Sequence, residues 1–309
     1  MSKDSISNQT AEKNEKSLKV TNDYVFKKIF GDKRNGDITK RLVSLIIGKK
    51  IDSLKLEDTF LQPDFPDGKM GVLDMRALID NNIFCNIEMQ VVNQGNLPDR
   101  LLFYWSKIFS SEIKSGEEYE KLKKAISILI VDFDLNELKN VKKYITKWNI
   151  REEKYHEIIL TDKLEIYIIE LPKVLKYSNS KQTELDDWIK FIRNPEEVKM
   201  EDENKSYDKE LLEARKILYN LSSSPEERRK AEAVEKYILD RNSARSYWKK
   251  EGERKGRADG KREGRSETIK QIVLSMFNQK VSNEKIAQYT GLDIKEIEKI
   301  IADNENVEK

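Results

Sequence analysis

A chain of 309 residues with a formal net charge of +2 has room for two domains, and its near balance of charge excludes a protein that is basic throughout. Charged residues make up 37% against the roughly 25% usual in globular chains, so the excess must lie on solvated helices or tails. One cysteine, Cys85, excludes an internal disulfide, one histidine, His156, argues against a His-built zinc centre or catalytic triad, and no apolar run approaches a membrane span, so a reducing, cytoplasmic setting without a membrane partner is expected.

Residues 1–17 have only Met1, Ile6 and Ala11 as apolar members and are predicted to be a disordered tail. A core over 18–200 begins with a helix for which Thr21 is the expected N-cap. Val25, Phe26, Ile29 and Phe30 form its apolar stripe and Gly31 its stop. Asp23 falls in the first turn, where it either complements the helix dipole or serves as an extra acid at a site. A second helix runs from about Ile38 to Ile47 with Gly48 as its stop, and Lys50 to Glu57 reads as a short strand. The stretch from Gln62 to Gly68 is rich in turn formers; Pro66 prevents a regular strand there, which makes Asp64 a poorer first acid than Asp74.

The stretch from Gly71 to Val91 carries the strongest pattern. Odd positions are apolar or small (Gly71, Leu73, Met75, Ala77, Ile79, then Ile83, Cys85, Ile87, Met89, Val91), while Asp74, Arg76 and Asp80 alternate with them on one arm and Asn86, Glu88 and Gln90 on the other. Opposed residues of an antiparallel pair share a face, so both odd sets can face one core only if the loop has an odd length. A three-residue loop, Asp80 to Asn82, sets Asp74 across from Glu88 with Gln90 next along the same face. Two facing carboxylates repel by about 0.2–1 kcal/mol. A hard divalent cation would relieve them; the alternative is a solvated polar face of an edge hairpin.

A helix is predicted from near Pro98 to near Gly116, with Arg100, Tyr104, Lys107 and Ser111 along one stripe. Ala125 to Phe133 reads as a buried central strand, followed by strands over Lys142 to Asn149 and Leu164 to Leu171, then helices over 184–193, 207–221 and 225–240. The expected fold is α/β (α+β-like), a small mixed β-sheet flanked by helices, with a helical extension over 201–248. Residues 249–266 repeat glycine at 252, 256, 260 and 264 among eight basic and four acidic residues, and read either as a basic linker or as a helix. Arg254, Arg257 and Arg262 in it are candidates for salt-dependent phosphate contact. Residues 267–309 read as three short helices similar to a helix-turn-helix unit; the last offers Lys295 and Lys299 beside Glu296 and Glu298 and no arginine, so self-association through these helices is at least as well supported as base readout.

Thr21-Asn22-Asp23 with Phe26-Lys27 and Phe30-Gly31, then Asp74 with Glu88-Met89-Gln90, then Arg100 with Tyr104-Trp105 and a strand ending Asp132-Phe133, together resemble the recombination-promoting nuclease and transposase-like family of the PD-(D/E)XK nuclease superfamily. The resemblance implies a restriction-endonuclease-like core and a DNA endonuclease that depends on Mg²⁺, or Mn²⁺ in its place, with low sequence specificity and a role in recombination or mobile DNA. It implies metal ligands at Asp74, Glu88 and the carbonyl of Met89, and DNA contacts that would include Lys27, Arg100 and Lys107. Gln90 stands where such sites often have lysine. An amide orients water but carries no charge, so Arg76 or Arg100 must supply the cation if the site is catalytic. The alternative is an inactive nuclease-fold module that binds DNA or protein.

Overall fold

The computed structural model describes residues 17–57, 60–61, 71–72, 75–93, 95–111, 113, 116–177, 183–198 and 206–305. In chain order these form α1 (Asp23–Phe30), α2 (Gly36–Ile47), β1 (Leu54–Glu57), β2 (Phe60–Leu61), β3 (Gly71–Val72), β4 (Met75–Ile79), β5 (Ile83–Gln90) and α3 (Leu97–Ser110). There follow β6 (Lys124–Val131), β7 (Ile145–Trp148), β8 (Leu164–Glu170), α4 (Val174–Tyr177), α5 (Glu184–Arg193), α6 (Lys209–Ser223), α7 (Pro225–Asn278), α8 (Asn283–Thr290) and α9 (Ile294–Glu305). The chain divides into two compact units, 1–236 and 237–309.

The N-terminal unit is built on a mixed six-stranded sheet in the order β1-β4-β5-β6-β8-β7, with β5, β6 and β8 parallel and the outer pairings antiparallel. One face carries Met75, Ala77, Ile79, Cys85, Ile87, Met89, Ile126, Ile128, Ile130 and Ile169 into a core shared with α1, α2, α5 and α6. The other carries Phe84, Ala125, Leu129, Val131 and Ile166 beneath α3, whose Trp105 indole N–H donates to the carbonyl of Ala125 at 3.1 Å. The even-numbered face of the hairpin is therefore covered by a helix. Since β5 is an interior strand, it is not the solvated face of an edge hairpin.

Local chemistry explains the helix ends. Asn22, rather than Thr21, caps α1: its side-chain oxygen accepts from the backbone N–H groups of Tyr24 and Val25. Gly31 ends the helix, and a Cβ there would lie 2.8 Å from the Lys27 carbonyl oxygen. Gly48 ends α2 at φ +67°, a left-handed geometry that costs glycine little. Asp208 caps α6 and also accepts from the Trp188 indole at 3.0 Å and from Arg41 Nε at 2.8 Å, fastening α2, α5 and α6 together. Burial raises the cost of its charge, but those hydrogen bonds outweigh it and hold the carboxyl below its ordinary range.

Residues 225–278 form one continuous helix where separate helices over 225–240 and 267–278 are predicted from sequence. The glycines at 252, 256, 260 and 264 are thus helical, and a Cβ at any of them would meet nothing within 4 Å. Ion pairs one turn apart, Arg254 with Glu251 at 2.7 Å and Arg262 with Asp259 at 3.3 Å, partly offset their low helix propensity. In the C-terminal unit, Val273, Ile286, Ile297 and Ile301 make a small core among the end of α7, α8 and α9. Asp293 and Glu296 exchange the two hydrogen bonds of a capping box at 2.8 and 3.1 Å.

Candidate active site

The β4–β5 turn places the site. Ile79 pairs with Ile83 across a three-residue loop in which Asp80 (φ 47°) and Asn81 (φ 58°) take the left-handed backbone that Asp and Asn tolerate. Asp80 Oδ1 also accepts from the N–H groups of Asp52 and Ser53 at 3.0 and 2.7 Å, anchoring the loop to the start of β1. The register continues as Ala77 to Cys85, Arg76 to Asn86 and Met75 to Ile87, which is the odd-loop register expected from the alternation. Gly71 and Val72 depart from that reading, because they pair with β2 in a separate two-stranded sheet rather than with β5. Asp74 and Asp64 lie outside the described residues.

Near the carboxyl end of β5, Glu88 is 4% exposed and Asn86 is fully buried. Asn86 Nδ2 donates to Glu88 Oε1 at 3.2 Å, and Arg100 Nη2 lies 3.7 Å from Glu88 Oε2. With the Gln90 amide assigned so that its oxygen faces donors, Oε1 accepts from Arg100 Nη1 at 3.0 Å and from Nη2 at 2.9 Å. The crossover from β5 through α3 to β6 thus delivers a guanidinium to the position two residues beyond Glu88. Arg100 also lies 5.8 Å from the centre of the Tyr104 ring, one turn along the same helix.

The remaining sequence candidates have other partners or lie in the C-terminal unit, although Arg76 lies directly across β4–β5 from Asn86. Arg76 pairs with Glu57 across β1–β4 at 3.4 Å and lies over the Phe84 ring at 4.9 Å. Asp23 and Lys27 pair with each other at 3.1 Å on α1, whose buried side chains join the core on the opposite face of the sheet from Glu88. Lys107 sits over Phe103 on α3 at 5.9 Å. Arg254, Arg257 and Arg262 belong to the C-terminal unit, the first bound through two nitrogens to Glu251.

Two polar groups at the site escape a motif-led reading. Asn86 Oδ1 and Ser127 Oγ are buried without hydrogen-bond partners among the described residues, and Asn86 and Ser127 are neighbours across β5–β6. The signal for Ser127 was present, since it is the one hydroxyl in the apolar run from Ala125 to Val131. The signal for Asn86 was its parity with Glu88, two residues away on the same face.

No group of three or more His, Cys, Asp or Glu side chains converges among the described residues, and none of their helices is long and apolar enough to cross a membrane. No curated protein and no solved structure matches the chain. Residues 20–247 match the PD-(D/E)XK nuclease family transposase, a span that takes in the whole mixed sheet, α3 and the constellation of Glu88, Gln90 and Arg100. The chain belongs to the PD-(D/E)XK nuclease family transposases.

Proposed function

We propose that the N-terminal unit is a divalent-metal-dependent DNA endonuclease of low sequence specificity, acting in recombination or on mobile DNA. The observation that carries this reading is the Arg100 fork, which restores beside Glu88 the positive charge that Gln90 lacks. The residues suit Mg²⁺: the Glu88 carboxylate and Asn86 Oδ1, which has no partner among the described residues, are buried hard oxygens, the donor type that this ion prefers. Glu88, the Met89 carbonyl and Asp74 would hold the metal, with Mn²⁺ as a substitute. When bound, it would polarise the scissile phosphate and lower the pKa of a water.

The side chains divide the remaining work. Asn86 fixes one oxygen of Glu88, leaving the other toward Arg100. Arg100 is 27% exposed at its side chain, and the N–H donors not held by Gln90 would serve a phosphate oxygen and the charge developing on it. Gln90 accepts from two nitrogens of the guanidinium and has its own amide N–H groups to orient a water. Asp23, Arg76, Lys27 and Lys107 enter the reading as outer contacts, since the described geometry engages each of them with another partner.

Supercoiled plasmid incubated with Mg²⁺ and the purified protein, beside Asp74→Ala and Glu88→Ala, tests the reading. Nicking by the parent that both substitutions abolish supports it. Equal cleavage by all three proteins removes this site, and metal-dependent binding without cutting assigns the fold to a DNA-binding module.

A further inference from the structure

The C-terminal unit holds a groove of about 730 Å³ between residues 258–270 of α7 and residues 292–303, in α9 and the turn before it. Half-buried Ile269, Leu292 and Ile300 form its apolar floor. Its walls carry Lys261, Arg262, Arg265, Lys270 and Lys299 against Glu296 and Asp303. Two of these charges are already engaged: Arg262 pairs with Asp259, and Glu296 accepts from the Asp293 N–H in the cap of α9. Lys261, Arg265, Lys270 and Lys299 form no ion pair among the described residues, so four exposed cations line one groove against two carboxylates, Glu296 and Asp303.

Such an arrangement is repulsive by itself and complementary to a polyanion. Lys261 and Arg265 stand about one turn apart on α7, and Lys270, about two and a half turns from Lys261, leaves the helix on the opposite side, so the cations flank the groove on both sides. Base readout is poorly served, because α9 has no arginine and sets Glu296 and Glu298 in its first turns. We propose that the α7–α9 groove is a second DNA site, seating the backbone of a duplex on Lys261, Arg265, Lys270 and Lys299 without reading its bases. This site is independent of Glu88, and of whether the N-terminal unit cuts DNA.

Fluorescence anisotropy of a short labelled duplex, titrated with the full chain in EDTA, separates binding from cleavage. Converting Lys261, Arg265, Lys270 and Lys299 together to Gln is expected to weaken binding at least about tenfold and to flatten the log K against log salt slope by about 3 to 4. Asp303→Lys, which adds a cation at the rim, is expected to tighten binding several-fold and guards against a loss caused by misfolding. Neutralising Lys249, Lys250, Lys255 and Arg257, outside the groove, is expected to have a smaller effect. An unchanged affinity and slope in the groove variant would overturn the proposal. So would an equal loss from the outside set, or a preference for single-stranded RNA that the groove variant abolishes.

Discussion

Along β5 the odd-numbered side chains Cys85, Ile87 and Met89 enter a core shared with α1, α2 and α5, whereas the even-numbered Asn86, Glu88 and Gln90 face the layer of α3. Both faces are largely buried, the polar one opening at Gln90 and Arg100, but they use burial differently. On the apolar side, burial is itself the stabilising effect, and any side chain of similar volume serves nearly as well. On the polar side, burial raises the cost of every unmatched group and strengthens every matched one, so position and partner matter more than volume. On the proposed reading, one strand separates stability from chemistry between its faces.

Substitutions on the two faces should fail in different ways. The largest effect is expected from Glu88→Gln, which removes the buried carboxylate without changing its shape: Mg²⁺-dependent nicking should fall by about 10³-fold, equivalent to about 4 kcal/mol, with little change in the urea midpoint. One position away, Ile87→Ala should do the reverse. It should cost about 2–5 kcal/mol of stability, read as a lower urea midpoint, while nicking per folded molecule changes less than tenfold. If Ile87→Ala abolished nicking in protein shown to be folded, the separation of the two faces would be wrong.

Arg100→Ala should lower nicking by about 10²-fold, with Arg100→Lys intermediate, because a point charge replaces the two-nitrogen grip on Gln90. The smallest effect concerns Cys85. Burial pushes its thiol up to about 12, and the side chain is fully buried on the apolar face. It should stay unmodified by a thiol reagent at neutral pH in the native protein and react fully in guanidinium. Rapid native labelling would show that water reaches the apolar face.

Much of this arrangement was legible in the residues. The alternation from Met75 to Gln90 required an odd loop, and Asp80-Asn81-Asn82 supplied residues that tolerate positive φ, so register and face followed from parity. The partners of Arg76 and Arg100 were not legible: β1 brings Glu57 opposite Arg76 and the β5–α3–β6 crossover brings Arg100 back over β5, and both contacts are set by topology rather than by local pattern. The continuity of α7 was hidden for a similar reason: glycine at every fourth position argues against a helix locally, while flanking ion pairs and the packed ends on both sides argue for it. Parity places Asn86 on the polar face but gives it no role, because a polar residue there gains weight only once α3 is seen to cover it.

The central claim is that Arg100 supplies the positive charge that the side chain two residues beyond Glu88 lacks, and a second-site rescue tests it most directly. Mg²⁺-dependent nicking would be measured for Arg100→Ala alone and for Arg100→Ala combined with Gln90→Lys. The account predicts that the lysine recovers at least about tenfold of the lost rate, roughly half of the expected deficit on a free-energy scale. A double variant no faster than Arg100→Ala, in protein with an unchanged urea midpoint, would contradict it.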